Sequence, residues 1–159
     1  MSAPEPSEKT STFLVTHAEG DSAVLKDVHD GQVHTLSLNP GVEEADAVEA
    51  TVAPEPPMNL TWSVVEVEER RQLTTERSEE PPTVQERELA AEQEVGEIAR
   101  EERAGTGEIH VLTVPPEDTE SAVEDVLDDE GTLSRAARLG VSRVEVRSED
   151  GVVSVRYMP

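Results

Sequence analysis

The chain has 159 residues, with 36 Asp plus Glu against 13 Lys plus Arg, a formal net charge of −23, no Cys, and one each of Phe, Trp and Tyr. That balance excludes a bare basic nucleic-acid binder acting through phosphate neutralisation. The absence of Cys excludes a disulfide scaffold, a thiolate nucleophile and a cysteine-ligated zinc. No apolar run approaches the ~18 residues of a membrane helix, and residues 1–10, with two Glu, one Lys and two Pro, lack the apolar centre of a signal peptide. The expectation is a soluble cytoplasmic protein with no membrane association.

The acid is spread along the chain, at −10 for residues 1–72, −6 for 73–107 and −7 for 108–159. It is interleaved with regularly spaced apolar residues, which a disordered acidic tail does not show. Arg outnumbers Lys by 11 to 2 and Val outnumbers Ile by 22 to 2. A carboxylate-covered, Lys-poor surface suits molar salt, where screening acts over ~3 Å and like charges scarcely repel. We read the acidity as adaptation to salt, so clustered carboxylates carry no catalytic signal here.

Residues 1–10 are expected as a disordered tail, and 11–70 read as five short strands divided by turns. The first, 11–17, places Phe13 and Val15 on one face and Leu14 on the other. Residues 23–28 and 32–38 flank a hairpin turn at Asp30-Gly31, where the positive φ of a tight turn is needed. Residues 46–53 point Val48, Ala50 and Val52 inward. In 59–68, Leu60, Trp62 and Val64 share a face before the apolar phase jumps to Val65 and Val67. That jump predicts a β-bulge at Val64-Val65, a device that bends strands into closure. Five short strands, one sharply bent, predict a small OB-like or SH3-like β-barrel.

Residues 71–107 read as a charged connector with one helix. Thr83 and Glu86 have capping-box spacing at its start, and Val84, Ala91, Val95 and Ile98 form a narrow stripe ended by Gly105-Thr106-Gly107. Residues 108–159 read as a β-α-α-β-β unit. A strand at 108–114 is stopped by Pro115-Pro116, and a first helix has Ala122, Val123, Val126 and Leu127 on its apolar face. Gly131 separates a second helix, capped by Thr132 and stopped by Gly140. A final hairpin turns at Glu149-Asp150-Gly151. The fold class is α+β throughout.

Catalytic and cofactor motifs are absent from the sequence. There is no Gly-x-Ser-x-Gly, His-Glu-x-x-His or Rossmann fingerprint, and Gly105-Thr106-Gly107 precedes a strand and lacks the ending of a phosphate loop. We therefore expect no enzyme and no cofactor. His29 and His34, beside Asp27 and Asp30 with His17 on a neighbouring strand, are weak metal candidates whose blander reading is turn polarity. Ala136, Gly140 and Val146 have helix-turn-helix spacing, which would present Arg143 and Arg147 to a groove. The strand-like alternation Val144-Glu145-Val146 favours a helix-to-strand junction instead. Residues 117–130 hold eight acids and no base, whereas 131–159 hold five Arg and three acids. Arg135, Arg138, Arg143, Arg147 and Arg156 are thus the candidate binding residues, for phosphate or an acidic partner. The competing reading pairs them with Glu124, Asp125 and Asp128 of the acidic helix. Phe13 and Trp62 are expected in the core, not as a base-stacking platform.

Four stretches, Thr12-Phe13-Leu14-Val15-Thr16-His17-Ala18, His29-Asp30-Gly31-Gln32-Val33-His34-Thr35-Leu36, residues 108–115 and residues 133–157, give the chain a resemblance to an uncharacterised haloarchaeal protein family, a domain of unknown function. The resemblance implies a cytoplasmic protein of a halophile and brings no activity and no site residues. The function expected is a non-enzymatic binding or adaptor module acting on a protein partner or on a second copy of itself. The alternative is a nucleic-acid-associated protein using an OB-like barrel or the Arg-rich C-terminal unit.

Overall fold

The computed structural model describes residues 8–159 and divides into two units, 1–72 and 73–159. Residues 1–7 of the expected tail lie outside the described residues; Lys9 and Thr10 already belong to the first strand.

In the first unit, β1 (Lys9–Ala18), β2 (Ala23–Asp27), β3 (Val33–Leu36), β4 (Asp46–Pro54) and β5 (Trp62–Gln72) close into a barrel in the order β1-β2-β3-β5-β4. All pairings are antiparallel except β3 with β5, which run parallel through Leu36 and Trp62. Phe13, Val15, Leu25, Leu36, Val48 and Val52 fill the interior, with Trp62 and Val64 packed against them. The predicted bulge is present: Thr51 pairs with Glu66 and Val52 with Val64, so Val65 is skipped. A second skip at Glu68, between the pairs Glu49–Glu69 and Ala50–Val67, bends the same strand again. Two extra residues on one strand increase its local twist, which helps so few strands to close.

Leu60 does not share the inward face of Trp62 and is exposed. It belongs to a loop closed on itself by Asn59 N–H to Glu55 O and Glu55 N–H to Thr61 O, with Asn59 at φ 57°, so strand geometry begins only at Trp62.

The second unit is a mixed sheet in the order β6-β9-β10-β8-β7. Its strands are β6 (Thr74–Arg77), β7 (Ile98–Glu102), β8 (Glu108–Thr113), β9 (Arg143–Glu149) and β10 (Val152–Met158). The sequence reading placed 74–77 and 98–102 in the connector; they are the two edges of this sheet. Their charges and shortness hid them, and those are the features that protect an edge strand from pairing with another chain.

Helix α1 (Val84–Ala91) starts with the predicted capping box. It stops far short of Ile98, because the chain turns at Gly96 (φ 93°) and enters β7. The apolar stripe through Val95 and Ile98 therefore does not form. Helices α2 (Thr119–Asp128) and α3 (Glu130–Leu139) follow a 3-10 turn at Pro116–Asp118. The cap of α3 is Asp129, whose carboxylate accepts from Gly131 N–H at 2.9 Å. Thr132, expected in that role, instead donates its hydroxyl to Val126 O at 2.7 Å. Gly140 ends α3 in the left-handed region (φ 77°), as its position predicts, and the chain enters β9 directly. Residues 143–149 are therefore strand and no helix-turn-helix forms. No helix among the described residues is long and apolar enough to cross a membrane.

Candidate binding sites

The histidines of the first unit do not converge. His29 is exposed in the turn after β2, and His17 lies on β1 with its Nε2 3.2 Å from Glu19. His34 points into the barrel end, buried between Phe13 and Trp62 with ring centroids 5.7 and 4.4 Å away. Its Nε2 lies 3.1 Å from Lys9 Nζ. That ammonium also contacts Asp27 at 3.0 Å, Asp30 at 2.7 Å and Gln32 at 3.1 Å.

The cluster is held together by opposing charges. Burial lowers the His34 pKa, the Lys9 charge lowers it further, and Asp27 and Asp30 only partly oppose them. Burial pushes the Asp27 carboxyl up, but backbone donors of His29 and Asp30 and the Lys9 ammonium outweigh it and hold the group below its ordinary range. All four neighbours can accept from the ammonium, which has three N–H groups and offsets one of the two carboxylates, so this is an electrostatic lock on the barrel end. Among the described residues no group of three or more His, Asp and Glu is placed to hold a metal.

The C-terminal arginines divide into two sets. On β9 and β10, Val144, Val146, Val153 and Val155 are buried on the face covered by α2 and α3, so the residues between them project to the opposite face. There Arg156 lies across from Glu145 in register and contacts it at 3.3 Å. Arg147 bonds Glu145 and also Glu80 at 2.9 Å, and Arg143 lies 3.9 Å from Glu76. Burial raises the Glu145 pKa, but its two arginines outweigh this and hold it low. The arginines pair within their own unit, yet not with Glu124, Asp125 and Asp128. Those acids belong to the helix on the other side of the sheet, and the partners come from β6, the segment after it and β9. Arg138 is engaged as well.

Arg135 differs. It projects from α3 over the valine-rich face and lines a cavity together with Arg100 of β7, His110 of β8 and Tyr157 of β10. The sequence reading named Arg135 but missed Arg100, His110 and Tyr157 as site residues. Arg100 was hidden in the assumed connector, and the other two come together only through the pairing of β8 with β10.

The profile of one family matches residues 9–148, from the first residue of β1 almost to the end of β9. The chain belongs to DUF5812, a family of unknown function. The match spans both units of this DUF5812 member, so the barrel and the mixed sheet are parts of one family pattern. No curated protein and no solved structure matches the chain.

Proposed function

We propose that this chain is a non-enzymatic binding or adaptor module of a salt-adapted cytoplasm, engaging a protein partner through an OB-like barrel. The observation that carries the reading is a set of large apolar side chains left in solvent on one part of the barrel. Val33, Leu38, Met58 and Leu60 are between 61% and 73% exposed, and Val65 and Val67 add to them on β5. They fall on β3, its C-terminal extension, the β4–β5 loop and β5, and β3 and β5 are neighbours in the barrel. A chain this rich in carboxylates has ample polar residues for its surface. Apolar groups gathered on adjoining elements mark a contact surface more than chance exposure does.

Support for the OB-like reading comes from the strand order, with β4 returning to β1 and β3 parallel to β5. OB barrels take ligands on the face of strands 2 and 3 and on the loop between strands 4 and 5, where Val33, Met58 and Leu60 lie. That fold also suits single-stranded nucleic acid, which is the second reading. Charge weighs against it. The first unit carries −10, and Lys9 is committed to Asp27 and Asp30, leaving little to meet phosphates.

The test is isolation from cells in molar KCl, followed by size exclusion with light scattering and absorbance at two wavelengths. A mass above 17.3 kDa without nucleic-acid absorbance, falling to that of the free chain in Leu60→Asp and Met58→Asp variants, is the expected result. A monomer, or nuclease-sensitive absorbance near 260 nm, would reject the protein-partner reading. With one Trp and one Tyr in the chain, even a little bound nucleic acid would dominate the spectrum.

A further inference from the structure

The face of the second sheet covered by α2 and α3 is not filled to its β7 edge. Arg100 on β7 lies directly across from His110 on β8, and His110 directly across from Val155 on β10. Residues paired in this way project to the same side of a sheet, and Tyr157, two positions after Val155, joins them. Arg135 reaches over this row from α3. Between them is a cavity of about 260 Å³, with Leu112, Val126 and Val155 in its apolar wall.

Three features of this cavity point to a ligand. First, Arg100 and Arg135 have no carboxylate in ion-pairing range among the described residues, in a chain where acids outnumber bases 36 to 13. The nearby acids are otherwise occupied: Asp129 caps α3 through Gly131 N–H, and Glu108 holds His110 Nε2 at 2.9 Å. Second, Tyr157 is only 4% exposed, yet its hydroxyl has no hydrogen-bond partner among the described residues. The hydroxyl opens onto the cavity, so a ligand head group would give it an acceptor. Third, the Tyr157 hydroxyl is a neutral donor near neutral pH. Burial raises its pKa, with Arg135 and Arg100 partly opposing; burial lowers that of His110, against the opposing Glu108 hydrogen bond, so the neutral ring adds no charge to the cavity.

We propose that this cavity is a binding site for a small organic anion, its phosphate or carboxylate head held by Arg100 and Arg135 with the Tyr157 hydroxyl donating, and its apolar body against Leu112, Val126 and Val155. Guanidinium groups match such heads in geometry as well as charge. At about 260 Å³ the cavity is at the small end for ligand pockets, which suits a compact metabolite and not a polymer segment. The site lies wholly within the second unit.

Because the chain has one tyrosine, a full-length protein with ¹³C-labelled tyrosine reports on this cavity alone. The probes are phenyl phosphate, benzoate, inorganic phosphate and a short single-stranded oligonucleotide. Saturable movement of the Tyr157 ring signals by phenyl phosphate or benzoate is expected, and the tighter of the two names the head group. Arg100→Gln and Arg135→Gln should each weaken that probe by about tenfold, one charge-assisted contact apiece. Arg143→Gln, whose arginine faces Glu76 instead, should leave it unchanged. Both cavity arginines are at least partly exposed, and urea midpoints of the unliganded variants equal to the parent's verify their fold. No saturable shift with either organic anion at millimolar concentration would overturn the site. So would affinity indifferent to both arginines, inorganic phosphate binding as tightly as the organic probes, or an oligonucleotide that binds the cavity more tightly than they do.

Discussion

Glu86 is a carboxylate buried between α1 and the sheet, and removing it tests how the second unit is held together. Its Oε1 accepts from Thr83 N–H at 3.1 Å, closing the capping box. Its Oε2 accepts from the Ser154 hydroxyl at 2.7 Å, and Ser154 is fully buried on β10. Glu86→Ala removes a hydrogen bond to a charged group, worth ~1.5–3 kcal/mol, and leaves a buried hydroxyl unpaired. It also removes half of a cap worth ~1 kcal/mol. These losses overlap, and recovering the carboxylate's hydration offsets part of them, so the net expectation is about 2–4 kcal/mol. With a slope of ~1.5 kcal/mol per M urea, the midpoint should fall by about 2 M. The signal is the near-ultraviolet band of Tyr157, buried in the same unit. Glu86→Gln keeps the shape and offers an NH₂ to which Ser154 can act as acceptor, so it should cost less than half as much. Thr83→Ala, which removes the other half of the box, should cost about 1 kcal/mol. An Ala variant within 1 kcal/mol of the parent would refute the assignment of the helix–sheet anchor to this pair. A Gln variant as damaging as Ala would show that charge, not hydrogen bonding, is what matters.

In the first unit, Asp46 is fully buried and receives Arg70 Nε at 2.6 Å. Arg70→Ala should therefore destabilise by ~3 kcal/mol in urea unfolding, because it strands a buried charge; a loss below 1 kcal/mol would mean that water replaces the guanidinium. Gly107 has φ 113°, and a Cβ there would meet the Tyr157 carbonyl oxygen at 2.0 Å. Gly107→Ala should cost more than the ~1 kcal/mol of left-handed strain alone and shift the Tyr157 signals. His34 and His110 have folded pKa values below the ordinary 6.5. The unfolded chain thus binds more protons, so stability is complete above pH 6.5 and declines as pH falls below it. Asp27 and Glu145, also depressed, extend that decline into the carboxylate range. Urea midpoints followed from pH 8 to pH 4 should show this, and His34→Phe should flatten the slope between pH 7 and pH 5; a midpoint that rises on acidification would contradict the assignment.

The barrel was readable in the sequence because its strands alternate cleanly and its turns carry Asp-Gly, Asn-Pro-Gly and Pro-Pro signals. Even the bulge at Val65 left a trace, a phase slip of one residue in an otherwise regular strand. The second sheet was readable only at its centre. Strands β8, β9 and β10 carry β-branched apolar residues two apart (Ile109 and Val111, Val144 and Val146, Val153 and Val155), but β6 (Thr-Thr-Glu-Arg) and β7 (Ile-Ala-Arg-Glu-Glu) do not. An edge strand half in water need not alternate, since its identity comes from the neighbour it pairs with, and β6 finds its partner 69 residues further on, at Thr74 with Arg143.

The same reasoning separates the two sets of arginines. By sequence, Arg135, Arg143, Arg147 and Arg156 look alike, a cationic tail following an acidic helix. A sheet sorts them by parity. Arg143, Arg147 and Arg156 share a face with Glu145, which bonds two of them, and Glu80 and Glu76 add to the pairing, so their charge is spent inside the fold. Arg135 comes from a helix on the opposite face, where the nearby acids are engaged by a helix cap and a histidine. Net charge says what a protein surface repels, but which arginine is free to bind is decided by strand register. That is why Arg100 and Arg135, which share one cavity, carry more functional weight here than the 36 acids around them.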